Sequence, residues 1–150
     1  MTEHQGSRKK ILVVDDEPST VVYLETLLQD AGYDTASARD GVEGMDKVRG
    51  EKPDLVSLDI NMPEQSGIRF YRNLKDDPEF VAIPVMIVTA VTGLGGDPEE
   101  FHRFISTRKQ IPPPDAFIPK PIDREIFLRT VSHLLTAEPE RSNPDREQKS

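Results

Sequence analysis

Five polar residues stand at the ends of short apolar runs, and their types suit one kind of chemistry. Asp15 and Asp16 follow Ile11-Leu12-Val13-Val14. Asp59 follows Asp54-Leu55-Val56-Ser57-Leu58. Thr89 follows Val85-Met86-Ile87-Val88, and Lys120 closes Ala116-Phe117-Ile118-Pro119. If each run is a strand of one open parallel sheet, these ends converge, because such sheets bind ligands outside the carboxyl ends of their strands. Three carboxylates, one hydroxyl and one ammonium would then share a small site. Three carboxylates a few ångströms apart resist ionising together. A hard divalent cation relieves that repulsion. With no cysteine and three scattered histidines (His4, His102, His133), an oxygen-only donor set favours Mg²⁺ or Mn²⁺ over zinc. Magnesium keeps waters and leaves room for a phosphate oxygen. Phosphoryl transfer needs an acceptor, charge neutralisation and donors to the equatorial oxygens. A carboxylate can accept the group as an acyl phosphate, a lysine can act on it as a point charge, and a threonine hydroxyl can donate to it.

The elements that must position these residues are readable in outline. The four runs are short, β-branched and nearly continuous, as in strands buried on both faces. A weaker strand candidate is 33–38. Helical stripes lie between them. Val21, Val22, Leu24, Leu27 and Leu28 mark a helix from Ser19 to Ala31, with Pro18 in its first turn and Gly32 as a stop signal. Further helices are predicted over Gly41–Arg49, Ser66–Lys75, Asp97–Lys109 and Asp123–Leu135, with Asp97 and Asp123 as N-caps. The alternation is β-α five times over. It implies right-handed crossovers and a parallel sheet with helices on both faces.

These residues together resemble the receiver domain of two-component response regulators. The matching segments are Asp15-Asp16 in VVDDEP, the run DINMP from Asp59 to Pro63 followed by Gly67, the VTA around Thr89, and Lys120-Pro121. Each alone is commonplace; in this order, each after an apolar run, they are specific. The resemblance covers about Lys10 to Leu135. It implies a flavodoxin-like, doubly wound five-stranded (βα)5 α/β fold. It implies Asp59 as phosphoacceptor, Asp16 as a direct metal ligand, Asp15 acting partly through water, and the Asn61 backbone carbonyl completing the shell of Mg²⁺ or Mn²⁺. It implies Lys120 on the phosphoryl group, Thr89 as the switch hydroxyl and Phe117 as the switch aromatic. The small Ala90 would leave access for phosphate. The implied partners are a sensor histidine kinase or phosphotransfer protein and a downstream protein. The implied activity is self-catalysed phosphotransfer with slow autodephosphorylation, in a signalling protein rather than a turnover enzyme.

One stretch departs from that pattern. Thirty residues separate Thr89 from Lys120, more than the family usually has, and they include Gly93, Gly95, Gly96 and the run Ile111-Pro112-Pro113-Pro114. The fourth-helix face is therefore where the resemblance transfers least.

Composition bounds the rest. The chain has 150 residues and a formal charge of −8, which suits one domain and disfavours a nucleic-acid-coating surface. No apolar run approaches the ~18 residues of a membrane span. The expected organisation is a flexible N-terminus at 1–9, a receiver domain at 10–136 and a disordered polar tail at 137–150. The reading is a cytoplasmic, stand-alone receiver, monomeric or weakly dimeric. The alternative is a receiver fold used as a phosphorylation-independent interaction module, which the complete set of site residues disfavours. A dehalogenase-type aspartyl-phosphate hydrolase would need an aspartate where Asn61 stands. A nucleotide-binding domain would need glycines where Asp15-Asp16-Glu17-Pro18 stands.

Overall fold

The computed structural model describes residues 8–62, 66–90 and 114–136. The elements run β1 (Lys10–Val14), α1 (Pro18–Asp30), β2 (Asp34–Ala38), α2 (Gly41–Glu51), β3 (Leu55–Asp59), α3 (Ser66–Lys75), β4 (Val85–Ala90), β5 (Ala116–Lys120) and α4 (Arg124–Thr136). The strands form one parallel sheet in the order β2-β1-β3-β4-β5. The flavodoxin-like doubly wound sheet expected from the sequence is the one observed. The helix predicted over Asp97–Lys109, residues 111–113 of the Ile111–Pro114 run, residues 1–7 of the N-terminus and the 137–150 tail lie outside the described residues.

The near-continuous apolar runs follow from a core on each side of the sheet. Leu12, Val14, Val56, Leu58, Val85 and Ile87 pack under α2 and α3 with Phe70, Tyr71 and Leu74. The alternate positions Ile11, Val13, Leu55, Met86, Val88 and Ile118 pack under α1 and α4 with Leu24, Leu28, Phe127 and Val131. A strand's side chains alternate faces, so a strand covered on both has no position to spare for water. The two edge strands, β2 and β5, are only partly buried, and β2 is also made of small and polar residues, which is why its sequence signal is weak.

Caps and clamps fix the element ends. Pro18 opens α1, and Gly32 follows it at φ 100°, a left-handed conformation that favours glycine. Asp40 caps α2 by accepting from the Glu43 N–H at 2.8 Å, while Glu43 accepts from the Arg39 N–H at 2.9 Å. Asp123 caps α4 through the Ile126 N–H at 3.1 Å. Asp54, which the sequence places in the strand, instead precedes β3 as a clamp. Its carboxylate accepts from the Lys10 N–H at 2.8 Å and its own N–H donates to the Lys10 carbonyl at 2.8 Å. Asp115 repeats this before β5, accepting from the Val85 N–H at 2.9 Å and donating back at 3.0 Å. Both aspartates hold the amino ends of their strands in register, at the edge of the sheet opposite the polar residues. Lys75 is buried, and its ammonium donates to the carbonyls of Val81 and Ile83 at 2.9 and 2.6 Å, tying the end of α3 to the turn before β4.

Candidate functional site

The strand order reverses direction between β1 and β3, and a crevice opens at such a switch point. Asp15 leaves β1 there. Its N–H continues the β1–β2 ladder to the Ala38 carbonyl at 3.0 Å, and its carboxylate accepts from the Glu17 N–H at 2.9 Å, the turn that starts α1. Asp59 ends β3, and its Oδ1 accepts from the Asn61 N–H at 3.0 Å. Both carboxylates are buried, and Asp16 beside them is exposed. One oxygen from each of Asp15, Asp16 and Asp59 lies within 4.8 Å of the others. Lys120, at the end of β5, brings its ammonium to 3.5 Å from the Asp59 Oδ1, and the Lys120–Pro121 peptide is cis. Thr89 is buried at the end of β4, and its hydroxyl donates to the Asn61 side-chain oxygen at 3.4 Å. The five residues singled out in the sequence are therefore brought together. Phe117 is not in this polar group: it is half-buried, level with Ile87 of β4, against the core on the α2–α3 side.

Two residues of the DINMP-to-Gly67 motif shape the site in ways its sequence does not spell out. The Asn61 side chain holds Thr89 in addition to whatever its carbonyl does. Gly67 lets α3 start against the acceptor strand, because a Cβ there would meet the Asp59 carbonyl oxygen at 2.7 Å and the Ile60 Cα at 2.9 Å. The spacing of Gly67 after the DINMP run is the visible trace of that approach.

The electrostatics suit a divalent cation. Burial pushes the Asp15 carboxyl up to about 6; the Glu17 N–H opposes that shift, and the Asp59 charge adds to it. Among the described residues three carboxylates outnumber the ammonium of Lys120, so the cluster carries excess negative charge. All its donors are oxygens, two of them held by backbone N–H groups, which is the donor chemistry of Mg²⁺ or Mn²⁺. The residues present fit the metal that the sequence implies.

A sign follows for pH. The folded Asp15 holds its proton up to about pH 6, whereas an unfolded aspartate loses it near 3.9. Between those values the folded chain binds more protons, so this group's contribution to stability falls as pH rises through the window. Metal binding needs the carboxylate and releases the proton. Titration calorimetry is expected to give Mg²⁺ binding about tenfold weaker at pH 5 than at pH 7. An affinity flat over that range would contradict the buried, protonatable Asp15.

The comparisons with known proteins agree with this geometry. The family described as the response regulator receiver domain matches residues 11–132. The chain belongs to the response regulator receiver family. It is 34% identical over 127 residues to the polar-differentiation response regulator DivK of Brucella anthropi, covering 85% of this chain and 96% of that one. Among solved structures it is similar to the signal receiver domain of a signal transduction histidine kinase from Syntrophus aciditrophicus, at 31% identity and TM-score 0.72, covering 86% of this chain and 91% of that one. The CheY-like receiver domain protein of Methanospirillum hungatei shares the fold at TM-score 0.74 and 23% identity, covering 90% of this chain and 99% of that one. The chain is thus a receiver domain of a signalling protein, in a family that binds Mg²⁺ at an acidic pocket and works with histidine kinases and downstream partners. The interaction-module alternative is not favoured. No helix among the described residues is long and apolar enough to cross a membrane.

Proposed function

We propose that this receiver takes a phosphoryl group on Asp59 from a phosphohistidine donor, with Mg²⁺ held by Asp15, Asp16, Asp59 and the Asn61 carbonyl, in the cytoplasm. The observation that carries the reading is the buried Asp59 carboxylate, within 4.8 Å of two other carboxylates and 3.5 Å from the Lys120 ammonium. An Asp59 oxygen attacks phosphorus, the histidine nitrogen leaves with the bonding pair, and the product is an acyl phosphate. Bound by those residues, Mg²⁺ would supply a counter-charge to the phosphoryl oxygens, and the Lys120 ammonium supplies a second cation. Water later attacks the same phosphorus and regenerates the carboxylate. An apolar patch beside the site suits donor docking: Val22 and Tyr23 of α1 are exposed, and Tyr23 shares a shallow recess with Lys120 and Ile122.

Phosphorylation adds roughly −1.5 to −2 charge and three strong acceptor oxygens. Thr89 then trades a long hydrogen bond to a neutral amide, at 3.4 Å, for a charge-assisted one, which is about twice as strong. Its strand end shifts, Phe117 moves into the space released, and the surface beyond β4 and β5 changes. Thr89→Ala separates the two steps. The variant is expected to incorporate a phosphoryl group at Asp59 within a fewfold of the wild-type rate, while phosphorylation no longer shifts the Phe117 ring signals in NMR spectra. Ring signals that shift as in the wild type would remove Thr89 from the switch.

A further inference from the structure

The start of α3 is wedged between β3 and α2. Toward β3, a Cβ on Gly67 would meet the Asp59 carbonyl oxygen at 2.7 Å. Toward α2, a Cβ on Gly41 would meet the Ser66 carbonyl oxygen at 2.8 Å, and one on Gly44 would meet two Phe70 ring atoms at 2.8 and 2.9 Å. Ordinary contacts begin at 3.4 Å. Side chains at Gly41 and Gly44 would therefore hold the two helices farther apart. The Gly41 N–H, one of the first-turn amides that its own helix cannot pair, donates across the contact to the Ser66 hydroxyl at 2.7 Å. Phe70 is fully buried in the core on this side of the sheet, so its ring has nowhere to swing.

These contacts join the two buried carboxylates by a route outside the site. The Asp15 N–H donates to the Ala38 carbonyl at 3.0 Å, and Arg39 and Asp40 lead from there to Gly41. Gly41 meets Ser66, Ser66 adjoins Gly67, and Gly67 meets the main chain of Asp59. The β1–β3 ladder itself stops one residue short of both carboxylates, at Val14 and Leu58. Close-packed interiors transmit strain rather than absorb it. A change in the spacing of α2 and α3 thus arrives at the end of β3.

We infer that Gly44 and Phe70 are positioning residues for phosphotransfer: as a matched pair they set the spacing of α2 and α3, and α3 passes it to the Asp59 carboxylate through Gly67. Neither residue touches the reacting atoms, and the inference rests on the reading of Asp59 as phosphoacceptor. The methyl of Gly44→Ala would stand 2.8 Å from a ring that needs 3.4 Å, an overlap of roughly half an ångström. A displacement of about 1 Å at a reacting group costs on the order of 10²-fold, and half of that costs about tenfold. Phe70→Leu removes ring volume where the methyl would go, so the two substitutions together are expected to cancel.

The test compares the wild type with Gly44→Ala and Gly44→Ala/Phe70→Leu by chemical denaturation, by acetyl phosphate labelling rate, and by the Asn61 amide signal in NMR spectra of the unphosphorylated protein. The Asn61 N–H donates to the Asp59 carboxylate at 3.0 Å, so its signal reports where that carboxylate sits without any phosphotransfer. Gly44→Ala is expected to shift the Asn61 amide and to slow labelling about tenfold in protein that remains folded. The double variant is expected to return the amide to its wild-type position and to label within about twofold of the wild-type rate. Ser66→Ala breaks the joint to Gly41 without adding volume, so it carries the test even where Gly44→Ala does not fold; it is expected to shift the Asn61 amide and to slow labelling about threefold. Stability lost with the amide and the rate unmoved would overturn the inference, as would a double variant as slow as Gly44→Ala. A wild type that takes no phosphoryl group would overturn the phosphoacceptor reading instead, and the Asn61 amide would still decide whether α2 positions the carboxylate.

Discussion

Lys120→Met is expected to slow phosphorylation by small phosphodonors about a hundredfold or more, while Mg²⁺ binds at least as tightly as in the wild type. The two effects have opposite signs because the ammonium plays opposite parts. Toward a phosphoryl group it is a positioned cation in a partly buried site, and removing one such group from a transition state costs on the order of 10²–10³ in rate. Toward a metal it is a like charge, 3.5 Å from the Asp59 carboxylate that binds the metal. Methionine keeps the aliphatic stem and drops the charge, so packing beside Pro121 persists. A parallel loss of metal affinity and rate would mean that Lys120 builds the site rather than acting on phosphate.

Gly67→Ala is expected to lower stability by about 1–3 kcal/mol and to cut the phosphorylation rate by at least tenfold. The added methyl would stand 2.7 Å from the Asp59 carbonyl oxygen and 2.9 Å from the Ile60 Cα. Both neighbours are main chain, so no side chain can turn away to make room. Either α3 withdraws from the sheet, or the end of β3 moves and carries the Asp59 carboxylate with it. A displacement of about 1 Å at a reacting group costs on the order of 10²-fold. Chemical denaturation and acetyl phosphate kinetics on the same preparation check both parts. A variant of wild-type stability and rate would show that α3 has slack that the close approach denies.

Much of this arrangement was legible in the chain because it is written locally. Val13-Val14 running into Asp15-Asp16, and Val56 to Leu58 running into Asp59, state both the buried strand and its polar end. Strand alternation and a parallel sheet then suffice to bring the ends together. The edge strand Asp34–Ala38 was faint because half-burial and small residues give little contrast. Asp54 reads as the first residue of its strand run, and Asp115 gives no signal; their partners, the N–H groups of Lys10 and Val85, are set by sheet register alone. Lys75 gave no signal either, since an ammonium buried on two carbonyls looks in sequence like any basic residue in a last helical turn. The Thr89–Asn61 contact arises between elements, where spacing along the chain carries no information.

The central claim is that Asp59 is the residue phosphorylated and that the metal is required. Intact mass after incubation with acetyl phosphate and Mg²⁺, for the wild type beside Asp59→Asn and a wild-type sample with excess chelator, tests it most directly. Asparagine keeps the shape and the oxygen that accepts from Asn61, so the fold is preserved while the nucleophile is lost. The account predicts one added phosphoryl group in the wild type with Mg²⁺, lost on treatment with hydroxylamine as an acyl phosphate is, and none in the other two samples. A phosphoryl group on the folded Asp59→Asn variant, or uptake undiminished by chelation, would contradict it.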